Sequence, residues 1–340
     1  YDAMTTDTAG GQYNVALGNY ALDALTSADG NIGIGMFAAS GLTTGGSNVA
    51  IGYHALKVGV AANNCTVVGY NSGDAITSAE GAVLYGSGAG GALTDAASTL
   101  CIGYNAGSSI STGARNHTLG HDAGGSITTG TDNICLGKAA GGSITDRSNN
   151  ICIGNESLNH ANQTNGHRNV MIGSLTDTNS TDSADQIVIG YNVTGTADSN
   201  FTFGTGESDS NIAFGATSIS APSDIRLKEN IQDETIGLSF INDLRPVTFQ
   251  WKKAKDISPE MKSHDPDSDE RVMNGKFNHG FIAQEVKAVI DNYSDIKDGF
   301  GFWSESGEDN RQRVGEGELI SIMVKAIQEL SAEIEILKAK

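Results

Sequence analysis

The sequence predicts a mainly β protein: a rod of stacked 17-residue repeats, built as a β-roll or β-helix, then a small α+β domain ending in a coiled-coil-like helix. Three observations carry this. Nine glycines (Gly18, Gly35, Gly52, Gly69, Gly86, Gly103, Gly120, Gly137 and Gly154) recur at that one constant interval, and each closes a short apolar run. A strict period of that length marks one small unit stacked along an axis, and such a unit buries its apolar face only against neighbours. The composition then changes near residue 222, and residues 317–338 repeat apolar side chains at heptad spacing.

Within each repeat, the residues one and three before the glycine are mostly branched and apolar, as in Val15/Leu17, Ile32/Ile34, Val49/Ile51 and Ile151/Ile153. The residue between them is usually small, as in Ala16, Gly33, Ala50, Cys101 and Thr118. Alternation over four or five residues with β-branched enrichment reads as a strand whose two faces are both to be covered. Ala or Ser follows three residues after each glycine, and Leu or Gly usually comes next. The remainder of each unit, such as Thr43-Thr-Gly-Gly-Ser-Asn48, is turn-like. An Asn four residues before the glycine recurs at Asn14, Asn31, Asn48, Asn116, Asn133, Asn150 and Asn169, as expected of a ladder that satisfies turn backbone from coil to coil. After Gly154 the intervals become 19, 17, 14 and 11, which predicts a change of pitch or a taper.

Of four cysteines, Cys101, Cys135 and Cys152 stand two residues before a repeat glycine, where other copies carry Ala16, Ala50, Val67 or Leu84. They replace small apolar residues, so buried free thiols are expected, with no metal and no cofactor. Residues 1–222 hold 5 Lys+Arg against 17 Asp+Glu, and residues 223–340 hold 16 against 23, giving the chain's net charge of -19. So acidic a rod is a poor ligand for nucleic acid or anionic lipid. No run approaches the length of a membrane span. The chain opens Tyr1-Asp2-Ala3 rather than with Met, as expected of a fragment or processed product.

The repeat units resemble the head repeats of trimeric autotransporter adhesins and the repeats of phage tail fibres over residues 10–215. The resemblance implies coils shared among three parallel chains. Farther on stand Ala221-Pro-Ser-Asp-Ile-Arg-Leu-Lys-Glu-Asn-Ile231, Leu244-Arg-Pro-Val-Thr-Phe-Gln-Trp251, His279-Gly-Phe-Ile-Ala-Gln-Glu-Val286 and the amphipathic C-terminus. In this order they resemble the intramolecular chaperone of phage tail spikes and fibres, the S74 self-cleaving peptidase family. The organisation expected is a rod over 1–215, a junction over 216–223 and a chaperone over 224–340 with its helix at 317–338.

That resemblance implies a domain that drives trimeric folding and then cuts itself away between Ser223 and Asp224, with Ser223 as reactive hydroxyl and Lys228 as its dyad partner. A lysine acts as base only when desolvation or a nearby cation lowers its proton affinity, a task open to Arg226 and a trimer interface. Attack by Ser223 on its own carbonyl would form a strained four-membered lactone. Attack from a neighbouring chain, or by a water that Ser223 and Lys228 position, avoids it. Asn230, His279, Gln284 and Glu285 are supporting candidates. His279 reads chiefly as a structural residue before 280–286, which reads as a buried strand running into a helix, and Gln284 and Glu285 as binders of backbone or interface groups.

The acidic stretch from Asp256 to Glu270 reads as a solvated loop, since its Asp-x-Asp-x-Asp lacks the glycine and final glutamate of a calcium loop. Ile320, Met323, Ile327, Leu330, Ile334 and Leu337 form an a/d seam. Ile at a with Leu at d favours two strands, whereas the resemblance implies three. The seam is under three heptads long and is expected to pack on the chaperone core. The function expected is a homotrimeric tail-fibre fragment of the virion, made in the host cytoplasm. It would bind a host surface receptor, a polysaccharide among the candidates, and perform one self-cleaving serine-endopeptidase event. The alternatives are a bacterial trimeric surface adhesin and a polysaccharide-degrading tailspike.

Overall fold

The computed structural model describes residues 3–4, 11–159, 166–206, 208–296, 300–306 and 310–340. By contacts the chain divides into two compact units, Tyr1–Asp224 and Ile225–Lys340. The first unit is a β-solenoid of about 11 turns. Each coil gives one short strand: β1 Val15–Leu17, β2 Ile32–Ile34, β3 Val49–Ile51, β4 Thr66–Val68, β5 Val83–Tyr85 and β6 Leu100–Ile102. The series continues with β7 His117–Leu119, β8 Ile134–Leu136, β9 Ile151–Ile153, β10 Val170–Ile172, β11 Ile187–Tyr191 and β12 Asn200–Thr205. All twelve run parallel and in chain order, and β13 (Ser208–Ala213) turns back antiparallel on β12.

The register is the sequence period made visible. Val15 pairs with Ile32, Val83 with Leu100 and Ile134 with Ile151, each with its own equivalent in the next repeat. The loosened intervals map onto the same ladder, with Val170 opposite Ile151 and Ile187 opposite Phe201. The extra length between Gly154 and Gly173 includes residues 160–165, which lie outside the described residues.

The repeat glycine is demanded twice over. Gly103 has φ +135°, and a Cβ on it would lie 2.5 Å from the carbonyl oxygen of Gly120 in the next coil. No other residue fits that conformation and that approach together. The asparagine ladder forms as the spacing predicts. The Asn150 backbone N–H donates to Asn133 Oδ1 at 3.0 Å, and Asn133 Nδ2 donates to the Arg147 carbonyl at 2.8 Å. Each buried amide thus ties one coil to the next and satisfies a turn carbonyl. Cys65 and Thr99 take the place of Asn in two coils: the Cys65 thiol donates to the carbonyls of Asn63 and Ala79, and the Thr99 hydroxyl to those of Ala97 and Gly113. A hydroxyl ladder that the repeat pattern did not single out runs beside it: Thr94 Oγ1 donates to the Ser111 carbonyl at 3.1 Å and Ser111 Oγ to that of Thr128 at 3.2 Å.

The solenoid interior is narrow, and three positions share its volume. The middle residue of each strand points inward, so Ala50, Val67, Leu84, Cys101 and Cys135 are fully buried. Gly33 makes room for Leu22, since a Cβ there would meet Leu22 Cγ at 2.9 Å. Farther along, Leu84 fills the interior and Gly73 and Gly90 recede around it. A large side chain at one position is therefore matched by glycine at another, at constant packing density.

The two strand faces differ from the expectation that both are covered. The small middle residues line the coil's own core, whereas the large branched ones point away from it. Val15 is 50% and Leu17 66% exposed, and Val83, Tyr85, Leu119 and Ile189 are also exposed. So short a coil has no room inside for its larger side chains. The chain alone therefore presents two apolar rows along its sheet.

The second unit holds α1 (Leu238–Asp243), the pair β14 (Val247–Phe249) and β15 (Asn278–Gly280), α2 (Ala283–Ile290), the hairpin β16 (Trp303–Ser306) and β17 (Arg311–Val314), and α3 (Leu319–Lys338). Its core is small: Phe240, Leu244, Val286, Ile290, Phe302, Leu319 and Ile322, with Phe240 edge-on to Tyr293 and Phe300. Glu329 of α3 ties the start of α1, its Oε2 accepting from the Leu238 N–H at 2.8 Å.

Two expectations are corrected here. The heptad seam does not pack on the chaperone core. Leu319, Ile322 and Ala326 do so, while Ile320, Met323, Ile327, Leu330, Ile334 and Leu337 are 41–68% exposed. The small core reaches only the first turns of α3, on a face beside the seam. The strand running into a helix expected over 280–286 does form, but its strand part lies slightly earlier and is not buried. The strand is Asn278–Gly280, it pairs only with β14, and α2 begins at Ala283. Phe281 reaches the core from the connection instead.

Gly103→Ala is expected to cost about 3 kcal/mol through strain and clash, read as a lowered denaturation midpoint. Asn133→Ala should cost about 2–3 kcal/mol, because it leaves buried amide and carbonyl groups unpaired. A loss under about 0.5 kcal/mol for either, in the same unfolding measurement, would contradict the ladder argument.

Candidate functional site

The residues named for self-cleavage fall into two groups. Ser223 and Asp224 close the first unit in irregular backbone after Pro222. The second unit opens with a 3-10 turn, Ile225–Leu227, which carries Arg226, and the Lys228 N–H donates to the Ile225 carbonyl at 3.1 Å. Asn230 follows with φ +53°, ending the turn in left-handed backbone. All of 213–235 is exposed, including the large apolar side chains Phe214, Ile219, Ile225, Leu227 and Ile231. Ile225 alone is 72% exposed.

His279, Gln284 and Glu285 lie on β15 and α2. Glu285 is bound in two places by the Arg245 guanidinium, with one contact at 2.9 Å. That hydrogen bonding holds the Glu285 carboxyl below its ordinary range. Its role is therefore to fasten the start of α2 to the connection after α1. Arg245 was legible only as part of a motif; nothing in its spacing marked Glu285 as the partner. Gln284 is exposed on the first turn of α2.

His279 is exposed rather than buried and stands opposite Thr248 in the β14–β15 pair. With Thr248 and Glu316 it lines an open cavity of about 680 Å³, whose apolar wall includes Val247, Phe281 and Met323. Thr248 and Glu316 gave no signal in the sequence, since neither belongs to a periodic row.

The four cysteines are buried and free. Burial pushes the Cys101 thiol up to about 12, and the hydrogen bond with Cys135 together with burial raises that of Cys152 well above its ordinary value. Thiols held in this way are neutral and poor nucleophiles. Among the described residues no three His, Cys, Asp or Glu side chains gather as a metal site, and no helix is long and apolar enough to cross a membrane. In the acidic loop, Asp269 is gripped by Lys253 and Lys255, both at 2.7 Å. These hydrogen bonds hold its carboxyl at about 2.

The first unit is a β-solenoid rod, and the second is an α+β domain that leaves a helical seam uncovered. Residues 223–294 match the family model of peptidase S74, the chaperone of endosialidase. The match begins at Ser223 and spans Lys228, His279, Gln284 and Glu285. Rod and chaperone segment together fit a phage tail fibre or tailspike with a C-terminal chaperone. No curated protein and no solved structure matches the chain.

The grip on Asp269 has a pH signature. A carboxylate depressed by lysine partners contributes fully above its unfolded value near 4 and loses that contribution as pH falls toward 2. Carbon-detected NMR should show the Asp269 carboxyl titrating near 2. Titration near 4 would mean that the two lysines do not hold it in solution.

Proposed function

We propose that this chain is the receptor-binding rod and chaperone of a virion tail fibre or tailspike, and that it works as a homotrimer. The observation that carries the reading is the pair of mostly apolar rows along the outer sheet, from Val15 and Leu17 through Ile187 and Ile189. Three parallel copies meeting through these rows cover them at equal height, because every coil repeats the same face. The exposed seam of α3 offers a second apolar stripe for the same association, and short coiled coils of this kind hold chains in register.

The C-terminal unit then has a kinetic task. Interlocked chains make contacts distant in sequence and fold slowly, so a domain that aligns three C-termini speeds the start. Once the rod has closed, water is added across the Ser223–Asp224 bond, leaving a carboxylate on Ser223 and an amine on Asp224. Ser223 and Lys228 supply the hydroxyl and the base, with Arg226 beside them. The exposure of 213–235 supports coupling between assembly and cutting, because neighbouring copies would provide the cover that Lys228 requires. Removal of the chaperone afterwards leaves a rod that unfolds slowly, with no template for refolding. The rod's turn surface, rich in Ser, Thr, Asn and Asp, suits a cell-surface receptor of the glycan class.

Intact-mass measurement of freshly made protein tests the reading. The wild-type chain should split between Ser223 and Asp224, while Ser223→Ala and Lys228→Ala remain whole and form trimers by light scattering. Cleavage at another bond, or cleavage that persists in Ser223→Ala, would remove these two residues from the mechanism. An uncut wild-type trimer would make the C-terminal unit a permanent cap.

A further inference from the structure

We infer that the cavity beside His279 is the seat of the 225–231 segment of a neighbouring copy, with Glu316 gripping Arg226 across the interface. The inference rests on the homotrimer reading and names one contact that such a trimer makes. The cavity lies between the β14–β15 pair and the start of α3. Its volume of about 680 Å³ is within the roughly 300–1,000 Å³ of ordinary binding pockets. Among the residues that line it, Glu316 is the one carboxylate, set against a largely apolar wall that ends at Met323. The Glu316 side chain has no hydrogen-bond or ion-pair partner among the described residues.

The segment 225–231 carries what this cavity lacks. Ile225, Leu227 and Ile231 are 56–72% exposed, and Arg226 and Lys228 stand between them. Apolar side chains suit the wall, and a cation suits Glu316. The guanidinium is the better match of the two cations, because its planar fork holds a carboxylate at two points. Arg245 holds Glu285 in that manner within the same unit. The α3 seam is a poorer occupant. Its apolar residues bring no charge to Glu316, and Lys325 beside them pairs with Glu329 at 3.6 Å.

Position favours a neighbouring copy over the chain itself. None of residues 225–231 lines the cavity of its own chain. Met323 belongs both to the cavity wall and to the exposed seam of α3. Copies that meet through the seam therefore bring a neighbour to the cavity's edge. A head-to-tail contact of this kind closes on itself under threefold rotation, so three segments fill three cavities. The segment next to the cleavage position is then open to water in the single chain and held in the trimer.

The test is disulfide trapping in the full Ser223→Ala chain, with Leu227→Cys and Thr248→Cys introduced together and separately. Both positions are exposed in the single chain. Mild oxidation bridges two thiols only where their Cα atoms come within about 7 Å. The double variant should run as a covalent trimer on a non-reducing denaturing gel, and each single variant as a monomer. Ile225→Cys with Thr248→Cys gives an independent pair. Adding Glu316→Lys should cut the trimer yield at least about tenfold, and Arg226→Glu on top of it should restore the yield. A trimer by light scattering that gives no cross-link, or only a cross-link within one chain, would overturn the inference while the homotrimer stands. So would a yield indifferent to Glu316→Lys. A Ser223→Ala chain that is monomeric by light scattering would remove the homotrimer reading and this inference with it.

Discussion

The close approach of one coil to the next at the repeat glycine is the constraint on which the rod depends. With a Cβ on Gly103 only 2.5 Å from the Gly120 carbonyl, any side chain there would push the coils apart. That contact sets the stacking distance at which the strand hydrogen bonds, the Asn amides and the Thr hydroxyls all reach their partners. The ladders are thus consequences of one spacing, repeated each time the chain completes a circuit. The Arg115–Asp132 and Arg168–Asp185 pairs bridge adjacent coils at the same interval, but they are exposed and add little.

The same constraint explains what the coil leaves outside. So short a circuit encloses room for one medium side chain per strand, shared with the turn positions that carry Leu22 or Gly73. Strand alternation then sends the two larger residues outward. Each unit of this chain, taken by itself, ends with apolar surface it cannot cover: two sheet rows in the first, the α3 seam in the second. On the proposed reading, association of copies covers both and also completes the self-cleavage site.

Particular elements show how far the sequence could be read. The Asn ladder and the buried thiols followed from position alone, because a residue at fixed offset in a strict repeat meets its own equivalent. Helix α3 was legible from heptad spacing, but its packing face was not. Leu319, Ile322 and Ala326 interrupt no pattern, and only the small core around Phe240 selects them. The strand before α2 was legible but placed slightly late, for the opposite reason. The apolar run after it looked more strand-like than the polar residues that actually pair with β14. At the candidate site, Ser223, Lys228 and their companions came from motif resemblance. The partner of Glu285 and the cavity around His279 depend on residues far apart in the chain.

Sequence alone determined the period, the glycine positions and the strand locations within the rod. All of these are local or repeat at a constant interval, so the chain states them in order. Tertiary structure decided which strand face is core, which stripe of α3 is bound, and that Arg245 claims Glu285. Those outcomes depend on the volume inside a coil and on contacts between distant segments, and neither is written into any one stretch of residues.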